Sequence, residues 1–138
     1  MINIIDMQDL RHLNLFRKIT KIQTRYCFGY NEILMFCVPK RDISKALGKG
    51  GENLKKISDI IKRRVRIIPL PNGIEDAKSF IGSVVAPVGF KDIEITSNEI
   101  IVNAGNENKA ALLGRNKRRL NEMKKIVKDF FGVDYRIV

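Results

Sequence analysis

Ala46-Leu47-Gly48-Lys49-Gly50-Gly51-Glu52-Asn53-Leu54 is the stretch that decides how this chain is read. Upstream, Asp42 to Leu47 predicts a short helix, with Asp42 as its cap and Gly48 as its stop. Downstream, Leu54, Ile57, Ile60 and Ile61 form an apolar stripe at helical spacing, with Lys55, Lys56, Lys62 and Arg63 mostly on other faces. Glycine lacks a Cβ, so the turn can take a left-handed backbone and a phosphate can come close to it. The second helix begins with unpaired N–H groups that favour an anion. Lys49 adds a positive charge inside the turn. Such a turn between two short helices suits a nucleic-acid backbone. Lys45, Lys49, Lys55 and Lys56 make a basic patch around it.

Working outward, Asp6 to Lys21 predicts a helix with Met7, Leu10, Leu13, Phe16 and Ile19 as its apolar stripe and Asp6 as its cap. Thr24 to Tyr30 alternates through Tyr26, Phe28 and Tyr30, and Ile33 to Val38 is a continuous apolar run bounded by Pro39. These read as two strands joined by a turn. Val65 to Leu70 reads as a third strand, ended by Pro71-Asn72-Gly73.

The same order then recurs. Asp76 to Ala86 is helical, with Phe80, Ile81, Val84 and Val85 inward. Phe90 to Thr96 and Ile100 to Ala104 are strands, and Glu107 to Leu113 is a short helix stopped at Gly114. Gly114-Arg115-Asn116-Lys117 stands where the first glycine turn stood. Leu120, Met123, Ile126, Val127 and Phe130 form the next stripe, and Val133 to Val138 the last strand. Each half therefore reads helix, strand, strand, helix, turn, helix, strand. The fold class is α+β, with helices packed on one face of a small three-stranded sheet in each of two domains, 1–71 and 72–138.

The chain has 138 residues, 44% of them apolar, which favours a packed core over disorder. Lys and Arg number 26 against 15 Asp and Glu, a net charge of +11 that favours a polyanionic partner. No apolar run reaches the roughly 20 residues of a transmembrane helix, so no membrane partner is expected. The start of the chain, with Asp6 and Asp9 and no basic residue, is unlike a secretory leader. Cys27 and Cys37 read as core thiols in a reducing cytosol; they could join only if their strands pair directly. With His12 they make no zinc pattern, so no metal is expected.

The segment 46–54 resembles the helix–Gly-X-X-Gly–helix signature of KH domains, and the order αββααβ resembles the type II arrangement. Taken over nearly the whole chain, the pattern is similar to the tandem KH domains of the NusA family, in particular the short archaeal NusA-like transcription termination factors. The resemblance implies that Gly48, Lys49, Gly50 and Gly51 hold a sugar–phosphate backbone. It implies too that bases lie in a groove between the helices flanking the loop and the adjacent sheet edge. In the second copy Gly114 matches Gly48 and Arg115 matches Lys49. Asn116 matches Gly50 and tolerates a left-handed backbone. Lys117 replaces Gly51, where a side chain either blocks close approach or supplies a charge. Both readings stand on sequence alone. Arg115, Lys117, Arg118, Arg119, Lys124, Lys125 and Lys128 form a basic strip offset only by Glu122 and Asp129, and it is expected to face the RNA, with Arg118 and Arg119 among the binding residues. Bacterial NusA also carries a polymerase-binding domain and an OB-fold, and the two repeats leave no room for either here.

Other features read as structure. Tyr26, Phe28 and Tyr30 suit one half-buried strand face better than base stacking. Ile33 to Val38 predicts burial on both sides. His12 is expected at the surface. A Walker phosphate loop is excluded, because Ile43 and Gly50 stand where it needs Gly and Ser or Thr. No nucleophile or acid–base pair has a partner at suitable spacing.

The expectation is thus a cytoplasmic, monomeric RNA-binding protein that is not an enzyme and needs no cofactor. It would clamp single-stranded nascent RNA in transcription termination or elongation control, with the RNA polymerase elongation complex as a further partner. The alternatives are a ribosomal-RNA- or ribosome-associated KH protein, and a protein adaptor on a KH scaffold.

Overall fold

The structure is a computed structural model describing residues 7–138. The chain divides between Leu70 and Pro71 into two compact units.

The first unit opens with α1 (Met7–Thr20). Asp6, expected to cap it, lies outside the described residues. The buried residues of α1 are His12, Leu13, Phe16 and Thr20, whereas Met7 is 70% and Leu10 46% exposed. The expected stripe is therefore corrected. A three-residue step falls about 60° short of a helical turn, so four such steps wind around the helix instead of sharing a face. His12, expected at the surface, is buried by the same rotation, with Nε2 3.4 Å from Gln8 Nε2. Thr20 ends the helix: its hydroxyl donates to Phe16 O (2.8 Å) and accepts from the Ile22 N–H (3.1 Å).

Strand β1 (Tyr26–Tyr30) runs antiparallel to β2 (Ile33–Val38), which runs parallel to β3 (Val65–Pro69). Asn31 and Glu32, with φ of 52° and 66°, make the tight turn between the first two. All six residues of β2 are buried, so the expectation of burial on both faces holds. Leu34, Phe36 and Val38 meet Leu13, Phe16, Ala46 and Ile57 in the core. Phe16 stacks on Phe36 with ring centroids 4.5 Å apart. On the other face Ile33, Met35 and Cys37 are buried beside Tyr30, with Tyr26 and Phe28 half-buried. Tyr26 pairs with Cys37 and Cys27 with Phe36. Directly paired residues share a face, so the two thiols point to opposite faces and remain free.

Between β2 and β3 lie α2 (Ile43–Leu47) and α3 (Glu52–Ile61). Asp42 precedes α2 but makes no side-chain capping bond. It belongs to a 3-10 turn (Lys40–Asp42) and has near-helical torsions, not the extended backbone a capping aspartate uses. On α3, Ile57 is fully buried and Leu54 and Ile61 partly so, but Ile60 is 56% exposed and leaves the expected stripe.

The second unit repeats the order. A 3-10 turn leads into α4 (Ala77–Val85), where Phe80, Ile81, Val84 and Val85 are buried as expected. The turn is closed by the Asp76 carboxylate, which accepts from the Asn72 N–H at 2.9 Å. Strand β4 (Asp92–Ile95) is antiparallel to β5 (Glu99–Asn103), which is parallel to β6 (Asp134–Ile137). Helices α5 (Lys109–Leu113) and α6 (Arg118–Phe131) lie between β5 and β6. Ile100, Val102 and Tyr135 are buried, while Asn103 and Arg136 are exposed on the opposite side. Phe80 packs on Phe130 with centroids 4.8 Å apart. Met123, Ile126 and Val127 complete the inward face of α6. Both units are thus mixed α+β, each with a small three-stranded sheet and the element order αββααβ.

Candidate nucleic-acid interface

In the first unit the Gly48 N–H donates to Ser44 O (3.1 Å), which closes α2. Gly48 then leaves the helix with φ 78°. Lys49–Gly51 form one 3-10 turn, held by the Gly51 N–H donating to Gly48 O (3.1 Å), with Gly50 at φ 62° and Gly51 at φ 74°. Helix α3 begins at Glu52. In the second unit the Gly114 N–H donates to Ala110 O (3.0 Å), Gly114 has φ 76°, and the Lys117 N–H donates to Gly114 O (3.1 Å). Asn116 and Lys117 take φ 56° and 60°. The two loops therefore share one backbone path although their sequences agree only at the leading glycine. Asn116 adopts the left-handed conformation its side chain tolerates, and Lys117 adopts it as well.

The four glycines of these loops do different work. A Cβ on Gly48 would lie 2.9 Å from Asn53 Cγ and 3.1 Å from Asn53 N; one on Gly114 would lie 2.9 Å from Arg119 N. A side chain at either place collides with the start of the next helix. A Cβ on Gly50 or Gly51 would meet nothing within 4 Å. The leading glycines are thus demanded by packing within the fold. The trailing two are demanded only by their torsions, and the space above them is open.

Lys49 and Gly50 are exposed at the first loop, Lys45 on α2, and Lys55 and Lys56 on α3. Glu52 places a negative charge in the first turn of α3. Arg115, Asn116, Lys117 and Arg118 are exposed at the second loop, and no acidic residue occupies the first turn of α6. The second loop is consequently the more positive of the two. An open groove of about 630 Å³ brings together Arg115, Asn116, Arg118, Asn121, Glu122 and Lys125. Arg119, expected in the same basic strip, is half-buried instead, and its Nη1 donates to Ala111 O at 3.0 Å.

A second groove of about 630 Å³ runs between α6 and the edge strand β6. Leu120, Tyr135 and Ile137 give it apolar lining, and Lys124, Lys125 and Lys128 line it from α6. Two of its acidic groups are engaged by cations: Asp134 by Lys128 (3.6 Å) and Glu99 by Arg136 (3.1 Å). Sequence reasoning had the helical lysines but not Tyr135 or Ile137, because the groove exists only once β6 docks beside α6. It also missed Asn53, whose Nδ2 donates to Lys45 O at 3.4 Å. The available signal was positional: Asn53 and Arg119 stand equally far beyond Gly48 and Gly114.

Cys37 shows no sign of reactivity. Burial, and secondarily the neighbouring Cys27, push its thiol well above the ordinary value. Among the described residues no cluster of His, Cys, Asp and Glu could hold a metal ion, and no helix is long and apolar enough to cross a membrane.

No protein-family model matches the chain. It is 30% identical over 100 residues to the "probable transcription termination protein NusA" of Methanococcus vannielii, a match covering 71% of this chain and 56% of that protein. The chain thus spans about half the length of that relative. A protein of the same name from Thermoplasma acidophilum is 19% identical over 134 residues, covering 94% of this chain and 91% of its own. An archaeal NusA-like relationship is suggested. Among solved structures, the crystal structure of APE1850 aligns with a TM-score of 0.66 at 19% identity over 96% of this chain and 99% of that one. That likeness concerns the fold alone, and the fold is consistent with a KH-like one.

Proposed function

We propose that this protein binds single-stranded RNA through two tandem type II KH modules, 1–71 and 72–138, and acts in transcription termination or elongation control. The observation that carries the reading is the repeated loop: two left-handed turns of one backbone path, each opening a helix, on a chain of net charge +11. The process comes from the names of the archaeal relatives.

The modules take the strand differently. At Gly48 to Gly51 the open space over Gly50 and Gly51 lets a phosphate approach the backbone amides, with Lys49 supplying charge and Lys45, Lys55 and Lys56 lying on the flanking helices. At Gly114 to Lys117 the side chains of Asn116 and Lys117 fill that approach, and Arg115, Lys117 and Arg118 hold phosphates through charge. Bases lie in the groove between α6 and β6, against the half-buried Leu120 and Ile137. Two weak sites on one strand raise affinity through effective concentration. The protein works in the cytoplasm as a monomer without cofactor or catalysis, and the RNA polymerase elongation complex is its further partner.

The test is binding of labelled single-stranded RNA to wild type and to Lys49→Asp/Gly50→Asp, with duplex competitors and both proteins checked for folding. Binding by wild type, preference for single strand and loss in the variant are expected. A folded wild type that binds no RNA would overturn the reading in favour of a protein adaptor. Co-purification with ribosomal particles instead of polymerase would move the process to the ribosome.

A further inference from the structure

We infer that Arg119 is a positioning residue that braces the second loop, not one of its phosphate contacts, and that Asn53 braces the first. Helices α2 and α5 stop abruptly, so carbonyls in their last turns have no helical N–H to meet. Lys45 O and Ala111 O are corresponding members of that set. Each is reached by a side chain from the first turn of the next helix: Asn53 Nδ2 at 3.4 Å and Arg119 Nη1 at 3.0 Å. The same side chains fill the space beside the leading glycine. A Cβ there would lie 2.9 Å from Asn53 Cγ in one loop and 2.7 Å from Arg119 Cγ in the other. Each brace thus ties the two helices together across the turn and closes its inner side.

Asn and Arg share the ability to donate a hydrogen bond from a side chain that packs flat, but only Arg is charged. Their equivalence indicates that donation and packing are required at this place and that charge is not. Arg119 is also the half-buried member of an otherwise exposed run from Arg115 to Arg119. Where the second loop holds Asn116 and Lys117 in torsions that glycine takes freely, Arg119 makes the shorter bond of the two. Its consequence for RNA rests on the proposal above; the brace itself does not.

Arg119→Ala and Arg119→Asn separate the possibilities, Asn being the residue the first loop uses. The readouts are amide hydrogen exchange at Gly114 and Lys117 by NMR, and affinity for single-stranded RNA across a salt series. Arg119→Ala should speed loop exchange by about tenfold, as loss of a charge-assisted hydrogen bond implies. It should lower RNA affinity several-fold without altering the salt slope. Arg119→Asn should restore exchange and affinity although it lacks the charge. Unchanged exchange in Arg119→Ala overturns the brace. So does a salt slope smaller by about 0.7 in Arg119→Asn with normal exchange, the mark of a lost phosphate contact. If wild type binds no RNA, the exchange data still decide the brace, and only the proposed function falls.

Discussion

Gly48 and Gly50 belong to one motif in sequence but are held by different forces. Replacing Gly48 by alanine puts a side chain at φ 78° and ψ 173°, a region that essentially only glycine takes, at a cost of about 1–3 kcal/mol, and adds a collision with Asn53. Replacing Gly50 adds strain alone. In urea unfolding, Gly48→Ala and Gly114→Ala should therefore each cost clearly more stability than Gly50→Ala, which should cost about 1 kcal/mol. Equal losses at the three positions would show that neither the torsions of the leading glycine nor the packing behind it matters more than the strain at Gly50. Lys117, at φ 60°, carries strain that glycine would not. Lys117→Gly should stabilise the fold by up to about 1 kcal/mol while weakening RNA binding. Stabilisation with unchanged binding would remove Lys117 from the interface. At this scale the sequence marked where the loops lie but not which glycine serves the fold. That depends on Asn53 and Arg119 folding back, and a one-dimensional pattern does not show it.

Among the elements, β2 was the most legible, because an unbroken run of six apolar residues has no solvent face to offer. Its Cys37 allows a direct check on burial. The folded thiol sits above its ordinary value of 9.0, so the native state retains a proton that the unfolded chain releases. Stability from this group is therefore complete below pH 9 and declines as pH rises above it, by at most about 1.4 kcal/mol per unit. Unfolding measured at pH 8 and pH 10 should show a larger loss for wild type than for Cys37→Ala. Identical losses would place the thiol in contact with water. Helix α1 was legible in extent but not in facing. Met7 and Leu10 satisfied a three-residue count, yet the burial of His12, Leu13, Phe16 and Thr20 follows the true helical repeat. Helix α6 read correctly because Met123, Ile126, Val127 and Phe130 alternate three- and four-residue steps. Strand and helix ends shifted where 3-10 turns precede α2 and α4, since such turns carry no periodicity to read.

For the whole molecule, the legible feature was repetition. The same order of elements occurs twice, and the second loop keeps the first loop's torsions with different residues. A groove beside the sheet edge was implied by the resemblance alone; its lining was not legible, because Tyr135, Leu120 and Ile137 come together only after the sheet has formed. The central claim is that the loops hold phosphates, the second of them by charge. The most direct measurement is the salt dependence of single-stranded RNA binding for wild type and Arg115→Gln/Lys117→Gln/Arg118→Gln. Each phosphate contact contributes about 0.7 to the slope of log affinity against log salt, so the triple variant should have a slope smaller by about 2. An unchanged slope in a folded variant would contradict the account.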